Sequence, residues 1–156
     1  MAVTAVSCAG SFDTPDRARQ PRFALRCEYP EGVTVHTQTI AIGPEDTKVS
    51  VLDGRIKFDL PAGAVTSTTR VTIEEMEGDT VGFRITPVLT IEQPITVSID
   101  VGSSRCRGVS VKRGDWSVWR RADARPALER LPTRRPWFRN RIEGKLPATS
   151  YIMIAD

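Results

Sequence analysis

Apolar and polar residues alternate along much of the chain with a period of two residues. The alternation starts at residue 33 and is clearest after Gln93-Pro94. There the apolar residues Ile95, Val97, Ile99 and Val101 alternate with Thr96, Ser98 and Asp100. Because successive side chains of a β-strand point to opposite faces, this pattern predicts strands with one buried face and one solvated face.

Similar runs, separated by residues typical of turns, predict further strands. We expect these strands at Val33–Ile42, Lys48–Leu52, Arg55–Leu60, Arg70–Met76, Val81–Ile91 with an interruption at Pro87, Val109–Lys112, Trp116–Arg120 and Tyr151–Ala155. No run predicts a helix longer than two turns. Many short strands with regular turn signals indicate an all-β domain, either a sandwich or a barrel, and we predict an antiparallel β-sandwich.

The dipeptide Asp53-Gly54 joins two of these runs. Such a link is typical of a type I′ hairpin turn, because both central residues need a positive φ. In the second arm of the hairpin, Ile56, Phe58 and Leu60 are expected to be buried, and Arg55, Lys57 and Asp59 are expected to face solvent.

Residues 121–141 do not follow the alternation. They are rich in arginine and contain three prolines. Ala122–Leu131 has room for a short helical turn, but Pro126 limits it. We therefore interpret the segment as a long basic loop before the last strands, and long loops in compact domains tend to be functional or disordered.

The length of 156 residues accommodates a single domain. Residues 9–22 are largely polar and charged and contain proline. We predict a flexible leader over residues 1–22, with the remnant of a lipoprotein signal as one interpretation, followed by one β-sandwich domain over residues 23–156. No apolar run reaches the roughly 20 residues that a transmembrane helix needs.

Three cysteines are present, and each suggests a different hypothesis. Ala5-Val6-Ser7-Cys8 resembles the end of a bacterial lipoprotein signal, which makes Cys8 a candidate for lipidation and for the protein's sole link to a membrane. The pattern lacks the usual leading Leu, a basic n-region and a full apolar region. Cys27 and Cys106 either pair as a disulfide in an oxidising compartment or remain two buried thiols.

Charge is distributed unevenly between the two parts of the chain. Residues 105–145 hold thirteen Lys or Arg against four Asp or Glu, whereas residues 1–104 hold nine against fourteen. Within the basic part, aromatic residues lie among arginines. The candidate binding residues are Arg120, Arg121, Arg134, Arg135, Trp137, Phe138 and Arg139. Arginine with stacking aromatics can bind nucleic acid or an acidic polysaccharide, and the alternative is a solvated basic loop.

The residue types needed for catalysis or for a cofactor are sparse. The single histidine, His36, lies in the middle of a predicted strand, so we expect a surface residue and no catalytic site. Glu74, Glu75, Glu77 and Asp79 are interpreted as solvated acids at a turn. The cysteines and histidine lack the close spacing of a zinc site, and no glycine-rich nucleotide loop is present, so neither a metal nor a cofactor is expected.

Between residues 50 and 155 a set of short motifs follows one order. Arg55–Val65 reads as a strand followed by Pro61-Ala62-Gly63-Ala64, and Thr69–Ile73, Val81–Phe83, Thr86–Val88, Gln93–Val97, Trp116–Trp119 and Gly144–Tyr151 follow. This order resembles the ZU-five-type β-sandwich domain of netrin receptors, ankyrins and tight-junction scaffold proteins. Some members of the wider family cleave themselves at His-Phe-Ser; here Ser150 follows Ala148-Thr149, so the resemblance implies no self-cleavage.

The resemblance implies a non-enzymatic module that binds or scaffolds proteins. We expect an extracytoplasmic and cell-surface location, with a cytoplasmic location as the alternative. A protein partner or self-association is the first hypothesis. The two others are an acidic-polymer binder that uses the basic segment over residues 105–145, and a structural subunit of a surface or phage assembly.

Overall fold

The computed structural model of the protein describes residues 11–12, 20–27, 36–77, 79–102, 106, 116–122, 127–136 and 140–156. Across these ranges the chain forms eleven strands and no helix. The strands are β1 Thr37–Ile42, β2 Thr47–Val51, β3 Ile56–Leu60, β4 Thr69–Glu75, β5 Gly82–Thr86, β6 Thr90–Asp100, β7 Ser117–Arg121, β8 Leu128–Arg130, β9 Thr133–Arg134, β10 Arg141–Ala148 and β11 Tyr151–Ala155.

The strands form two antiparallel sheets that pack face to face. One sheet has six strands in the order β1-β4-β5-β11-β7-β8, and the other has five in the order β2-β3-β6-β10-β9. Every pairing between these strands is antiparallel. The predicted antiparallel β-sandwich is therefore confirmed.

Membrane crossing by a helix finds no support in the described part of the chain, because no helix there has the length and apolarity that it requires.

Alternation of side chains builds the core between the sheets. In β3 the buried residues are Ile56, Phe58 and Leu60, as predicted, and in β6 Ile95, Val97 and Ile99 are buried. Phe58 meets Phe83 of the other sheet edge to face, with ring centroids 5.9 Å apart. Such a pair adds roughly 0.5–1.5 kcal/mol beyond the burial of its area.

The hairpin between β2 and β3 has a longer turn than the sequence predicts. Val51 pairs with Ile56, and residues 52–55 form the turn. Leu52, Asp53 and Gly54 have φ values of 53°, 56° and 80°. Positive φ is unfavourable for leucine by roughly 1–2 kcal/mol. Burial of Leu52 and its backbone N–H bond to Gln38 Oε1, at 2.7 Å, hold this conformation.

The predicted long basic loop contains two short strands, β8 and β9. Leu131 N donates to Val118 O in the six-stranded sheet, and Lys145 N donates to Pro132 O in the five-stranded sheet. The segment over residues 127–136 thus crosses from the edge of one sheet to the edge of the other. The prediction of a loop throughout was wrong, because this pairing depends on distant strands and leaves no two-residue period in so short a stretch.

The sheets approach each other closely beside this crossing. A Cβ placed on Gly144 of β10 would lie 2.7 Å from both Cβ and Cγ2 of Val118 on β7. Glycine is therefore required at this position to let a backbone of one sheet contact a side chain of the other.

Residues of the predicted leader form hydrogen bonds with the sandwich from Gln20 onward, before the predicted start of the domain at residue 23. The backbone N–H groups of Arg22 and Phe23 donate to Asp156 Oδ1, at 2.7 and 2.9 Å. Gln20 bonds to Leu128 at the edge strand β8. These bonds join residues 20–23 to the last residue of the chain and to the edge strand.

Cys27 and Cys106 form a disulfide in the structure. Both residues are buried, and 79 residues separate them in sequence. The bond ties the amino-terminal segment to the region after β6. Cys8 and the predicted strand Val109–Lys112 lie outside the described residues.

Gly144→Ala is expected to reduce the free energy of unfolding by roughly 1–3 kcal/mol, because the new methyl group overlaps Val118. Chemical denaturation measures the change. In the double variant Val118→Gly/Gly144→Ala every side-chain atom that would overlap the new methyl group is absent, so the two losses should not add. Strict additivity, or an unchanged Gly144→Ala variant, would contradict this account of the close approach.

Reduction of the native protein should add the mass of two hydrogens, and Cys27→Ala/Cys106→Ala should lose roughly 4–5 kcal/mol of stability in the chain-entropy account. Intact-mass measurement and denaturation test the two statements. In a Cys8→Ser variant, Cys27 and Cys106 are the two remaining cysteines, so any mass change on reduction comes from this pair. An identical mass before and after reduction in that background would show that the thiols are free.

Candidate functional site

The outer face of the five-stranded sheet carries two rows of polar side chains. Cross-strand pairing sets the rows, and each row runs across successive strands. The first row is Ser50, Lys57, Ser98, Glu143 and Arg134, and the second is Lys48, Asp59, Thr96 and Lys145. These residues alternate with the core residues of the same strands, so the core that forms the sandwich also orients this face.

A groove of about 650 Å³ lies on this face. We call it the polar groove; its lining is Lys48, Val49, Ser50, Lys57, Phe58, Asp59, Thr96, Ser98, Arg134, Arg141 and Glu143. Four cationic side chains face two carboxylates, and the hydroxyls of Ser50, Thr96 and Ser98 add donors and acceptors. The volume lies in the range of roughly 300–1,000 Å³ that is typical of ligand sites.

Several side chains of the face are held by bonds within it. Arg134 donates to Glu143 through Nε, at 2.9 Å, and also through Nη2. Lys145 Nζ donates to Thr96 Oγ1 at 2.8 Å, and Lys48 Nζ lies 3.8 Å from Asp59 Oδ2. The bonds of Arg134 and Lys145 hold these two cations in place, whereas the Lys48–Asp59 contact is long and solvent-exposed.

Lys57 differs from its neighbours. Its side chain is exposed, and no carboxylate of the described residues lies within 4.0 Å of its ammonium group. It therefore supplies positive charge that no carboxylate in the described part of the chain neutralises.

Arg141 forms one end of the polar groove. Its guanidinium donates to Ser98 Oγ at 2.8 Å, to Ser98 O at 2.7 Å, to Gly54 O at 3.0 Å and to Arg55 O at 3.1 Å. These bonds join β10 to β6 and to the β2–β3 turn. Arg141 is thus a rigid cation whose planar fork is oriented by main-chain oxygens.

The arginines predicted to bind together lie on different sheets. Arg120 and Arg121 are on β7 of the six-stranded sheet, while Arg134 is on β9 of the five-stranded sheet. Arg120 Nη2 contacts Glu129 Oε2 at 2.6 Å, and the Arg121 guanidinium lies 4.5 Å from the centroid of the Tyr151 ring. Arg135 Nε donates to Trp116 O at 2.7 Å.

Of the four described candidates, Arg134 alone lines the polar groove. Trp137, Phe138 and Arg139 lie outside the described residues. Four further cations of this face, Lys48, Lys57, Arg141 and Lys145, were not among the residues predicted from the sequence to bind. They could have been recognised from their positions on the solvent-facing side of strands in which polar and apolar residues alternate.

A second group of charges links the β2–β3 turn to the end of β4. Arg55 donates to Glu75 through Nε at 3.0 Å and through Nη2 at 2.8 Å. His36 Nδ1 lies 3.6 Å from Glu75 Oε2, and Arg55 Nη1 lies 3.5 Å from Asp53 Oδ2. The side chains of Arg55 and Glu75 are 5% and 1% exposed.

Two expectations from the sequence were wrong here. Arg55 was expected to face solvent, and Glu75 was expected to be a solvated acid. Each is buried because the other neutralises it in a bidentate pair, which local alternation cannot reveal. Since Arg55 occupies both carboxylate oxygens of Glu75, we interpret this group as a structural clamp.

The residue that the family resemblance aligns with a self-cleaving serine is buried. Ser150 is 2% exposed, and its hydroxyl has no hydrogen-bond partner among the described residues. Its main-chain oxygen accepts a bond from Ile85 N at 3.2 Å. We therefore assign Ser150 a position in the packing between β10 and β11.

A smaller depression of about 310 Å³ lies at the six-stranded sheet. Its lining is Glu74, Glu75, Met76, Glu77, Arg84 and Tyr151. In the described residues, no group of three or more His, Cys, Asp or Glu side chains is arranged to hold a metal ion. The polar groove is larger and carries more charge, so we take it as the candidate site.

Comparison of the chain with models of known protein families and with curated proteins finds no match. The resemblance to the ZU-five-type domain therefore stays a prediction from the sequence motifs.

Breaking the Arg55–Glu75 pair should strongly destabilise the protein. Glu75→Gln or Arg55→Met leaves one buried charge without its partner, and such changes cost roughly 3–5 kcal/mol. Urea denaturation measures the loss. The double variant Arg55→Met/Glu75→Leu buries no unpaired charge, so it should be more stable than either single variant. A loss below about 1 kcal/mol for both single variants would contradict the role of a clamp.

Proposed function

We propose that this protein is a non-enzymatic β-sandwich module that binds an acidic segment of a partner protein through the polar groove. The observation that carries the proposal is the set of four cationic side chains that line the groove from four of the five strands, with Lys57 unneutralised by the described residues and Arg141 held rigidly. The groove is open, polar and charged, as a surface for recognition of a macromolecule requires.

The backbone supports a preorganised binding surface. The cationic residues of the groove all lie on strands, Arg141 as the first residue of β10. Side chains on strands are positioned more accurately than side chains on loops. Cross-strand bonds, from Arg134 to Glu143 and from Arg141 to Ser98, hold two of them. Less conformational freedom is then lost when a partner binds, which favours affinity.

The distribution of charge favours a peptide over a polyanion. Asp59 and Glu143 lie between the cations, and carboxylates at these positions repel the evenly spaced phosphates or sulfates of a polymer. A peptide can instead place its acidic residues against the cations and its amides against Ser50, Thr96 and Ser98. Five strands span roughly 19 Å, which matches about six residues of extended chain.

A location outside the cytoplasm is part of the proposal. It is supported by the Cys27–Cys106 disulfide, because such bonds persist in oxidising compartments. The hypotheses of lipidation at Cys8, of acidic-polymer binding through Arg120, Arg121, Arg134 and Arg135, and of an assembly role through Trp137 and Phe138 stay predictions.

Charge removal at the groove tests the proposed function. The probe is a fluorescent decapeptide of alternating Glu and Ser, followed by anisotropy. In Lys48→Gln/Lys57→Gln its affinity should fall by up to about thirtyfold, which is the range for two exposed charges. The matched control Arg70→Gln/Arg84→Gln removes two exposed cations from the six-stranded sheet and should bind as the native protein does.

Equal losses in the two variants would show nonspecific attraction by net charge and would refute the groove as the site. Heparin and single-stranded DNA serve as further probes. Tight, salt-sensitive retention of either one, lost in Arg134→Ala/Arg135→Ala/Arg139→Ala but not in Lys48→Gln/Lys57→Gln, would favour the acidic-polymer hypothesis instead.

A further inference from the structure

Phe12, in the amino-terminal segment, lies against the outer face of the five-stranded sheet. The ring centroid of Phe12 is 4.7 Å from the guanidinium carbon of Arg134 and 5.3 Å from Lys145 Nζ. Both distances are within the roughly 6 Å over which a cation is attracted to an aromatic face. We call the three side chains Arg134, Glu143 and Lys145 the aromatic seat.

The aromatic seat is built by the strands rather than by Phe12. Arg134 is opposite Glu143 in the β9–β10 pairing, and the ion pair between them holds the guanidinium in place. Lys145 is held by Thr96 on the other side. The Glu143 side chain is only 8% exposed although it points away from the core. The seat therefore presents two fixed cations side by side, which suits a flat aromatic ring.

The segment that carries Phe12 is also attached at the edge of the other sheet. Gln20 Nε2 donates to Leu128 O at 3.0 Å, and Leu128 N donates to Gln20 Oε1 at 3.3 Å. The amide of Gln20 thus bonds to edge strand β8 as a neighbouring strand would. Gln20 thus contacts β8 and Phe12 contacts β9, on the two sides of the crossing between the sheets. Both contacts are noncovalent and can therefore be exchanged for contacts with a partner.

We propose that the aromatic seat anchors an aromatic side chain of the partner peptide, and that Phe12 occupies this seat in competition with the partner. This inference rests on the proposed function and specifies its ligand as a peptide with an aromatic residue followed by acidic residues. Lys57 on β3 and Arg134 on β9 are three strand spacings apart, roughly 14 Å. An extended peptide covers that distance in about four residues, the separation of Phe12 and Asp16 in the sequence.

While Phe12 occupies the seat, a partner can bind only those molecules whose seat is free. Its apparent affinity is therefore the intrinsic affinity multiplied by the free fraction. A tethered residue competes at an effective concentration in the millimolar range. A weak peptide is then largely excluded, whereas a partner that also engages Lys48 and Lys57 displaces Phe12. The amino-terminal segment would thereby raise the selectivity of the polar groove.

The experiment uses the full chain and a fluorescent peptide with the sequence of residues 11–16, Ser-Phe-Asp-Thr-Pro-Asp. Phe12→Ala should bind this peptide roughly tenfold more tightly than the native protein, because the seat is vacant. In the Phe12→Ala background, Lys145→Met should remove most of this gain in peptide affinity, whereas Lys145→Arg should retain it. A peptide with Leu in place of Phe should bind roughly fivefold more weakly to Phe12→Ala, because it lacks the aromatic quadrupole.

The docking of Phe12 has its own readout. Ring-current shifts of the Lys145 side-chain protons in the native protein should disappear in Phe12→Leu, and thermal unfolding checks that each variant is folded. Equal peptide affinities of the native and Phe12→Ala proteins, or equal affinities of the Phe and Leu peptides, would overturn the proposal. If Lys48→Gln/Lys57→Gln still weakens binding of the Glu-Ser probe in that case, the proposed function survives and only the seat is rejected.

If the Phe peptide binds Phe12→Ala as expected but Lys48→Gln/Lys57→Gln changes the affinity for neither peptide, the seat is retained as an aromatic site. The acidic partner of the proposed function is then wrong.

Discussion

Face-to-face packing of two apolar sheet surfaces is the constraint on which the other features depend. Burial of a side chain such as Phe58 or Phe83 stabilises the fold by roughly 1.5–3 kcal/mol, and only the sandwich brings these residues together. Each residue that points into the core directs its neighbours in the strand outward. The polar rows of the five-stranded sheet are therefore a geometric consequence of the same packing, and their rigidity comes from the core beneath them.

Contacts between distant parts of the chain join the sandwich at both of its sides. At one side β8 and β9 cross between the sheets, and the close approach of Gly144 to Val118 makes that corner tight. At the other side the Arg55–Glu75 pair ties the β2–β3 turn to the end of β4.

The polar face combines fixed and available charges. Arg134 contacts Glu143 and Phe12, and Lys145 contacts Thr96 and Phe12. Lys57, in contrast, is exposed. The proposed binding of an acidic peptide and the proposed competition by Phe12 concern opposite ends of one surface. In this view the amino-terminal segment belongs to the binding site as well as to the fold, since Gln20 also bonds to the edge strand.

The all-β class and much of the strand pattern were predictable from the sequence. Alternation identified the buried residues of β3 and β6, because the orientation of a side chain in a strand depends only on its position in the run. Pro87 marked the break between β5 and β6, since proline has no N–H to donate to a sheet. Lys48 and Lys57 followed the same rule, although the sequence alone did not distinguish them from other surface cations.

Only the tertiary structure decided which strands are neighbours, and with that which charges meet. Glu75 is buried because Arg55, twenty residues away in the chain, reaches both of its oxygens. Strands β8 and β9 exist because β7 and β10 offer backbone partners, and the clustered arginines of the sequence were separated onto two sheets for the same reason. A local pattern fixes the direction of a side chain, but hydrogen bonds between distant strands choose its neighbours.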